Sequence, residues 1–346
     1  MTRTLKELII KNILLLFALI SIIILGLIII FLFMEGLPVF RVVSVADFLF
    51  GLEWYPTYDP PDYGIWPLIT GSLVVTFFAA LLAVPLGVLS AIYIAELAPG
   101  PVKEIFKPLV ELLAGLPSVV LGFFGMAVVA PLLQNTFNLP TGLNIVNASL
   151  ILAFMAVPTI ASITEDALYS VPREFKEASY ALGATRSETI VHVIVPAALS
   201  GIATAVMLGM ARAIGETMVV LMVAGGAAAV PESIFDPVRP MPASIAAEMG
   251  EAAVGSAHYH ALFATGIVLS LAGLVWRASR PHIAVVGRVP GTQHFRNIER
   301  HKVETRPELL LVRVDENLFF GNAEAVRDHI NAQLTFYPHV RHLVLV

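Results

Sequence analysis

The chain has 346 residues, 57% hydrophobic and 14% charged, with a mean hydropathy of +0.82 and a net charge of −5. A soluble protein of this length has no core large enough for that apolar content, and a disordered chain is poor in apolar residues, so both classes are excluded for most of it. The modest negative charge gives no electrostatic case for a nucleic-acid partner, and with no Cys there is no disulfide framework, thiolate metal site or Cys nucleophile.

A membrane span takes about 20 apolar residues. The first is near 9–34. Ile13 to Met34 is uncharged and follows Arg3, Lys6 and Lys11. It is longer than a signal-peptide core and lacks a small-residue cleavage site, so it reads as a retained anchor. No charge occurs from Tyr63 to Ala95, which gives a second span near 69–95. None occurs from Leu112 to Thr164 either. The turn composition of Gln134 to Gly142 divides that run into spans near 112–133 and 145–164. A charged stretch, 173–188, follows. The fifth span, near 193–224, contains Arg212 and Glu216, and the sixth lies near 258–276. Trp54, Tyr55, Tyr58 and Tyr63 suit an interfacial group on the outer side.

Six spans put both ends of the membrane part on one side. Arg3, Lys6, Lys11, Lys103, Lys107, Arg173, Lys176, Arg186, Arg277 and Arg280 then share that side, against only Arg41 and Arg239 opposite. The positive-inside rule makes it cytoplasmic. No internal repeat is visible, which argues against an inverted-repeat secondary transporter.

Within 173–188, Pro172 suits a helix start, with Glu174 at its positive end. Gly183 can take positive φ and turn the chain between two short helices. No G-x-x-x-x-G-K-[ST] occurs anywhere, so the chain has no P-loop for ATP. Arg212 and Glu216 are the charges in the fifth apolar run. A mid-bilayer charge costs about 2.5–3.5 kcal/mol, so such groups pair or line a path. Two readings stand. Either the i, i+4 spacing pairs them on one helix face, or Arg212 faces a translocation path and Glu216 holds it. The run exceeds the bilayer's need, and a kink near Gly215 is one way to fit it. Gly115, Pro117, Gly122 and Gly125 suit close helix packing or a cavity-lining break. His258 and His260 read as interfacial polar groups rather than metal ligands.

After Trp276 the composition changes, and 17 of the 47 charges fall in the last 70 residues. Residues 277–308 read as a basic linker punctuated by Pro and Gly. Leu309 to Val314 reads as a strand and Leu318 to Phe320 as a second. Ala323 to Thr335 is an amphipathic helix with Val326, Ile330 and Leu334 on one face, and His342 to Val346 begins another strand.

Glu177-Ala178-Ser179, then Gly183 after three residues, then Val193-x-Val195-Pro196 after nine more, resembles the EAA loop of ABC importer permeases. Glu111-Leu-Leu-Ala-Gly-Leu-Pro-Ser-Val-Val-Leu-Gly-Phe-Phe-Gly, Ala181-Leu-Gly-Ala-Thr-Arg, Arg212-Ala-Ile-Gly-Glu-Thr-Met and Ile245-Ala-Ala-Glu-Met-Gly-Glu-Ala together resemble the PstC-type phosphate permeases over about residues 1–272. The resemblance implies an all-α type I ABC importer permease fold of six transmembrane helices. It implies one permease subunit of an ATP-driven phosphate importer, not an enzyme, in a prokaryotic plasma membrane. Glu177, Ala178, Ser179, Gly183, Arg186 and Pro196 would couple to the ATPase, and Arg212 with Glu216 would mark the path. Implied partners are a PstA-type permease, a PstB-type ATPase dimer, a periplasmic or extracellular phosphate-binding protein and membrane lipid. The chain itself would bind no cofactor, with ATP and Mg on the ATPase. The tail, through Gly287-Arg-Val-Pro-Gly-Thr, Phe295-Arg-Asn-Ile-Glu-Arg and Asn317-Leu-Phe-Phe-Gly-Asn-Ala-Glu, resembles an incomplete α/β STAS-like segment of SulP-type anion permeases, over 309–346 with the linker before it. That resemblance keeps two alternatives open: a membrane-anchored regulatory protein, or a fragment of a sulfate-type secondary transporter. Neither needs an ATPase dock.

Overall fold

The computed structural model describes residues 3–278, 283–292, 294–298, 303–314, 323–336 and 339–345. It divides into two compact units, 1–267 and 268–346.

The first unit begins with α1 (Arg3–Gly36). From residue 11 to 34 its side chains are almost all exposed; Leu14 is 64% and Ile22 66% accessible. That is untenable in water and ordinary in lipid, where hydrocarbon is the solvent. Its last turns pack, Phe31 edge-on to Phe263 at 5.5 Å. A short 3-10 turn leads to α2 (Val45–Phe50), capped by Ser44, and to a two-strand ladder, β1 (Trp54–Tyr55) with β2 (Asp62–Tyr63). α3 (Trp66–Ile92) runs on through a π turn to Leu97. α4 (Gly100–Ala114) follows, then α5 (Ser118–Phe124) and α6 (Ala130–Phe137), joined by a π turn. α7 (Ile145–Tyr169) starts where the Asn144 side chain accepts the Asn147 N–H. Then come α8 (Arg173–Ala181), α9 (Arg186–Thr189), α10 (Val195–Ala197), α11 (Leu199–Ile214), α12 (Met218–Val223), α13 (Met241–Glu248) and α14 (Ala257–Ala278).

α7 is the central element, with 67% of its most apolar window buried. α3 presents Ser72, Val75, Ala79, Ala83, Gly87 and Ala91 on its buried side, a small-residue stripe at helical spacing. Ile160 of α7 fills the space left by two glycines: a Cβ on Gly87 would stand 2.8 Å from it, and one on Gly209 2.5 Å. Three helices therefore meet at backbone distance around one side chain.

By length and composition, four helices among the described residues can cross a membrane: Lys11–Arg41, Trp66–Leu97, Ser118–Phe137 and Ile145–Tyr169. Arg186–Ala197 and Leu199–Ile214, bent by 69°, make a fifth if they act together. Two expected boundaries are corrected. The third span starts at Ser118, not 112, because Pro117 disfavours helix for Leu116, and residues 112–114 belong to α4. The fifth, expected over 193–224 with a kink near Gly215 as one way to fit it, is indeed interrupted at Gly215–Thr217, but it is also bent at Ala198, which was not expected.

In the second unit, β3 (Ile283–Arg288), β4 (Phe295–Asn297), β5 (Leu309–Val314) and β6 (His342–Leu345) form a sheet in the order β4-β3-β5-β6. β5 and β6 are parallel, with α15 (Ala323–Phe336) between them in the chain. Ala284, Val286, Leu310, Val312 and Val326 are its buried apolar residues. The expected linker 277–308 is thus partly sheet. Ile283-Ala-Val-Val is a β-branched run that pairs antiparallel with β5. The expected strand at 318–320 lies outside the described residues.

Candidate functional site

Residues 173–189 fold into one small helical hairpin. α8 ends in a Schellman motif: Ala184 N–H donates to Ser179 O at 3.2 Å and Gly183 N–H to Tyr180 O at 3.0 Å, with Gly183 at φ +84°. α9 opens with a capping box, Thr185 accepting the Glu188 N–H while the Glu188 carboxylate accepts from Thr185 N–H. The two helices are tied by a hydroxyl pair, Ser179 Oγ and Thr189 Oγ1 at 2.8 Å, both buried. The hairpin rests on Glu96, at the end of α3's extension. Lys176 Nζ meets the Glu96 carboxylate at 2.5 Å, and Arg186 Nη2 donates to the Glu96 carbonyl. Glu177 and Ala178 face outward, and Phe175, Tyr180 and Leu182 are exposed, Leu182 to 90%. Pro196 is not part of this hairpin; it lies in α10, just before the 69° bend.

Arg212 and Glu216 do not pair with each other. α11 stops at Ile214, so they do not share a helix face. Instead Arg212 Nη2 donates to the Ala114 carbonyl, at the end of α4, at 3.4 Å. Glu216 Oε1 accepts from Met218 and Val219 N–H at 3.2 and 3.4 Å and caps α12. Both nonetheless line one cleft, with Leu152, Met155, Ala156 and Ala213. Arg212 is an exposed residue.

Gly122 and Gly125 are packing glycines. Their added Cβ atoms would meet Met222 Sδ at 2.7 Å and Val223 Cγ1 at 2.7 Å.

A second polar cluster escaped the sequence reading. Glu248, at the end of α13, accepts from Trp54 Nε1 at 3.1 Å, Arg239 Nη1 at 2.5 Å and His258 Nε2 at 2.8 Å. Its side chain is only 13% exposed. Tyr63 stands edge-on to Trp54 at 6.4 Å, and burial pushes its phenol above the ordinary range. His260 Nδ1 bonds the Glu35 carbonyl at 2.6 Å. Among the described residues no group of three or more His, Cys, Asp or Glu can hold a metal. Charge-assisted bonds contribute about 1.5–3 kcal/mol each, and an orphaned buried charge costs more. Glu248→Ala is expected to cost about 3 kcal/mol, read as a lower thermal midpoint of the detergent-solubilised chain. An unchanged midpoint rejects Glu248 as a structural node.

The family described as "Binding-protein-dependent transport system inner membrane component" matches residues 83–280. A probable ABC transporter permease protein of Bacillus subtilis, YqgH, is 45% identical over 242 residues, covering 69% of this chain and 78% of its own. The phosphate transport system permease protein PstC of Mesorhizobium japonicum is 36% identical over 242 residues, 64% of this chain and 73% of its own. Among solved structures, a bacterial alginate ABC transporter in complex with its pentasaccharide-bound periplasmic protein matches with a TM-score of 0.54 at 19% identity, covering 78% of this chain and 93% of that one. At that identity the likeness concerns the fold alone.

Proposed function

The chain belongs to the binding-protein-dependent transport system inner membrane components, and from that premise we propose that it is one permease half of an ATP-driven importer of inorganic phosphate. The family is a transport permease working with an ATPase and a substrate-binding protein, and hydrolysis lies in a separate subunit. In the proposed arrangement the second half is a PstA-type permease, the ATPase a PstB-type dimer carrying ATP and Mg, and the donor an external phosphate-binding protein. Six spans, the sixth being α14, place the N-terminus and the tail in the cytoplasm. The STAS-like tail is given no working role in this reading.

The observation that carries the ATP-driven reading is the hairpin 173–189. It is short, internally capped and hydrogen-bonded, and it offers Phe175, Tyr180 and Leu182 outward. Such a rigid piece, anchored on Glu96, transmits a partner's closure to α3 and α11 as a rigid-body shift. Glu177, Ala178, Ser179, Gly183 and Arg186 belong to it, and Pro196 follows at the bend that joins it to α11. Phosphate as the cargo rests on relatives named as phosphate permeases and on the exposed guanidinium of Arg212, the cation of the cleft.

The test is uptake of radiolabelled phosphate by liposomes holding this chain with its companion subunits. Uptake should require internal ATP and added binding protein, and a tenfold excess of sulfate should not compete. Uptake without ATP, or loss of uptake to sulfate, rejects the reading.

A further inference from the structure

Arg212 leans on the end of α4, and α4 is itself held by two residues to which the pathway reading gives no task. The half-buried positions of α4 include Lys103, Lys107, Val110 and Ala114, which recur at helical spacing on one face. Lys103 Nζ stands 3.9 Å from the Tyr169 ring centroid, over the end of α7. Lys107 Nζ lies 3.4 Å from Glu165 Oε2 and 4.0 Å from Asp166 Oδ1. The Glu165 side chain is 3% exposed, and its Oε1 has no protein partner. A carboxylate so buried calls for a partner of opposite charge. Lys107 supplies it and thereby fixes the rotation and height of α4 against α7.

About 10 Å further along the axis, at 1.5 Å per residue, α4 ends at Ala114. The last carbonyls of a helix have no intrahelical partner and carry the negative end of its dipole. They are a resting place for a cation, and the Ala114 carbonyl accepts Arg212 Nη2 at 3.4 Å.

We infer that Glu165 and Lys107 are positioning residues for Arg212, their ion pair setting the place of the α4 terminus on which the guanidinium rests beside the cleft. The inference rests on the reading of Arg212 as a pathway residue. In it, the transported oxyanion and the end of α4 compete for the same guanidinium.

The experiment uses the full complex in liposomes and reads phosphate uptake, ATPase rate and subunit recovery. Lys107→Met is expected to lower maximal uptake about tenfold, and Lys107→Arg to restore at least half of it. The pair Glu165→Gln with Lys107→Met removes both charges, and with them any penalty for an unpaired buried carboxylate. That double variant should assemble like the parent and still transport about tenfold more slowly, and it decides the matter if Lys107→Met alone fails to assemble. Normal uptake in either variant overturns the inference, as does a Lys107→Arg chain no faster than Lys107→Met. Arg212→Gln is run alongside. If it transports normally, the pathway reading itself has failed. If it is inactive while the double variant is normal, only the positioning role falls.

Discussion

Arg212→Gln is expected to lower phosphate uptake by roughly 10- to 100-fold or more, while the subunits still assemble. The magnitude follows from the charge. A charge-assisted hydrogen bond contributes about 1.5–3 kcal/mol, and every 1.4 kcal/mol is tenfold. Arg212 is exposed and makes one long bond to a backbone carbonyl, so Gln removes the charge with little cost to packing. The measurement is initial uptake of labelled phosphate, normalised to subunit recovery. A variant that assembles and transports at the parent rate sinks the pathway reading. Arg212→Lys separates charge from shape, because it keeps the cation and loses the planar fork.

Gly183→Val is expected to weaken the hold of the ATPase. Gly183 holds φ +84° and closes the Schellman motif, a conformation that costs a β-branched residue about 1–3 kcal/mol. No atom lies within 4 Å of the Cβ it would gain, so the effect is on the backbone and not a clash. α8 and α9 then lose their fixed angle, and recovery of the ATPase with the purified chain is expected to fall about tenfold. Gly183→Asn, which tolerates the left-handed region better, should fall less. Glu177→Lys should also release the ATPase, with the fold intact, because Glu177 is exposed. Full ATPase recovery with both Gly183→Val and Glu177→Lys would falsify the docking role of this hairpin.

Where a local signal sufficed, the sequence was readable. Gly183 marks the turn of the hairpin, because a positive φ is a property of one residue. The strand at 309–314 stands at the expected bounds because five of its six residues are apolar. In the fifth span the break at Gly215–Thr217 falls where the sequence offered a kink near Gly215, whereas the 69° bend at Ala198 lies in an uninterrupted apolar stretch and left no such mark. The spacing of Arg212 and Glu216 was sound arithmetic on a helix that ends two residues too early. Ion pairs between distant elements left no trace in spacing. Nothing local in Lys107 announces Glu165, and nothing near Trp54 announces Glu248. The one available hint was an acid closing an otherwise uncharged run, as Glu165 does after Thr164.

The Glu248 cluster has a bearing on the order in which the molecule is made. Trp54 and Glu248 are 194 residues apart. At about 5–20 residues per second, a ribosome needs roughly 10–40 s to travel from one to the other. Throughout that interval the segment around Trp54 is without the acceptor its indole will bond. His258 follows Glu248 by only ten residues, so the last donor arrives almost with the acceptor. The end of the bundle that holds Trp54 is therefore closed late and nearly at once, by a carboxylate delivered near the end of the membrane part, and a nascent chain halted before α13 leaves the ribosome with that end still open.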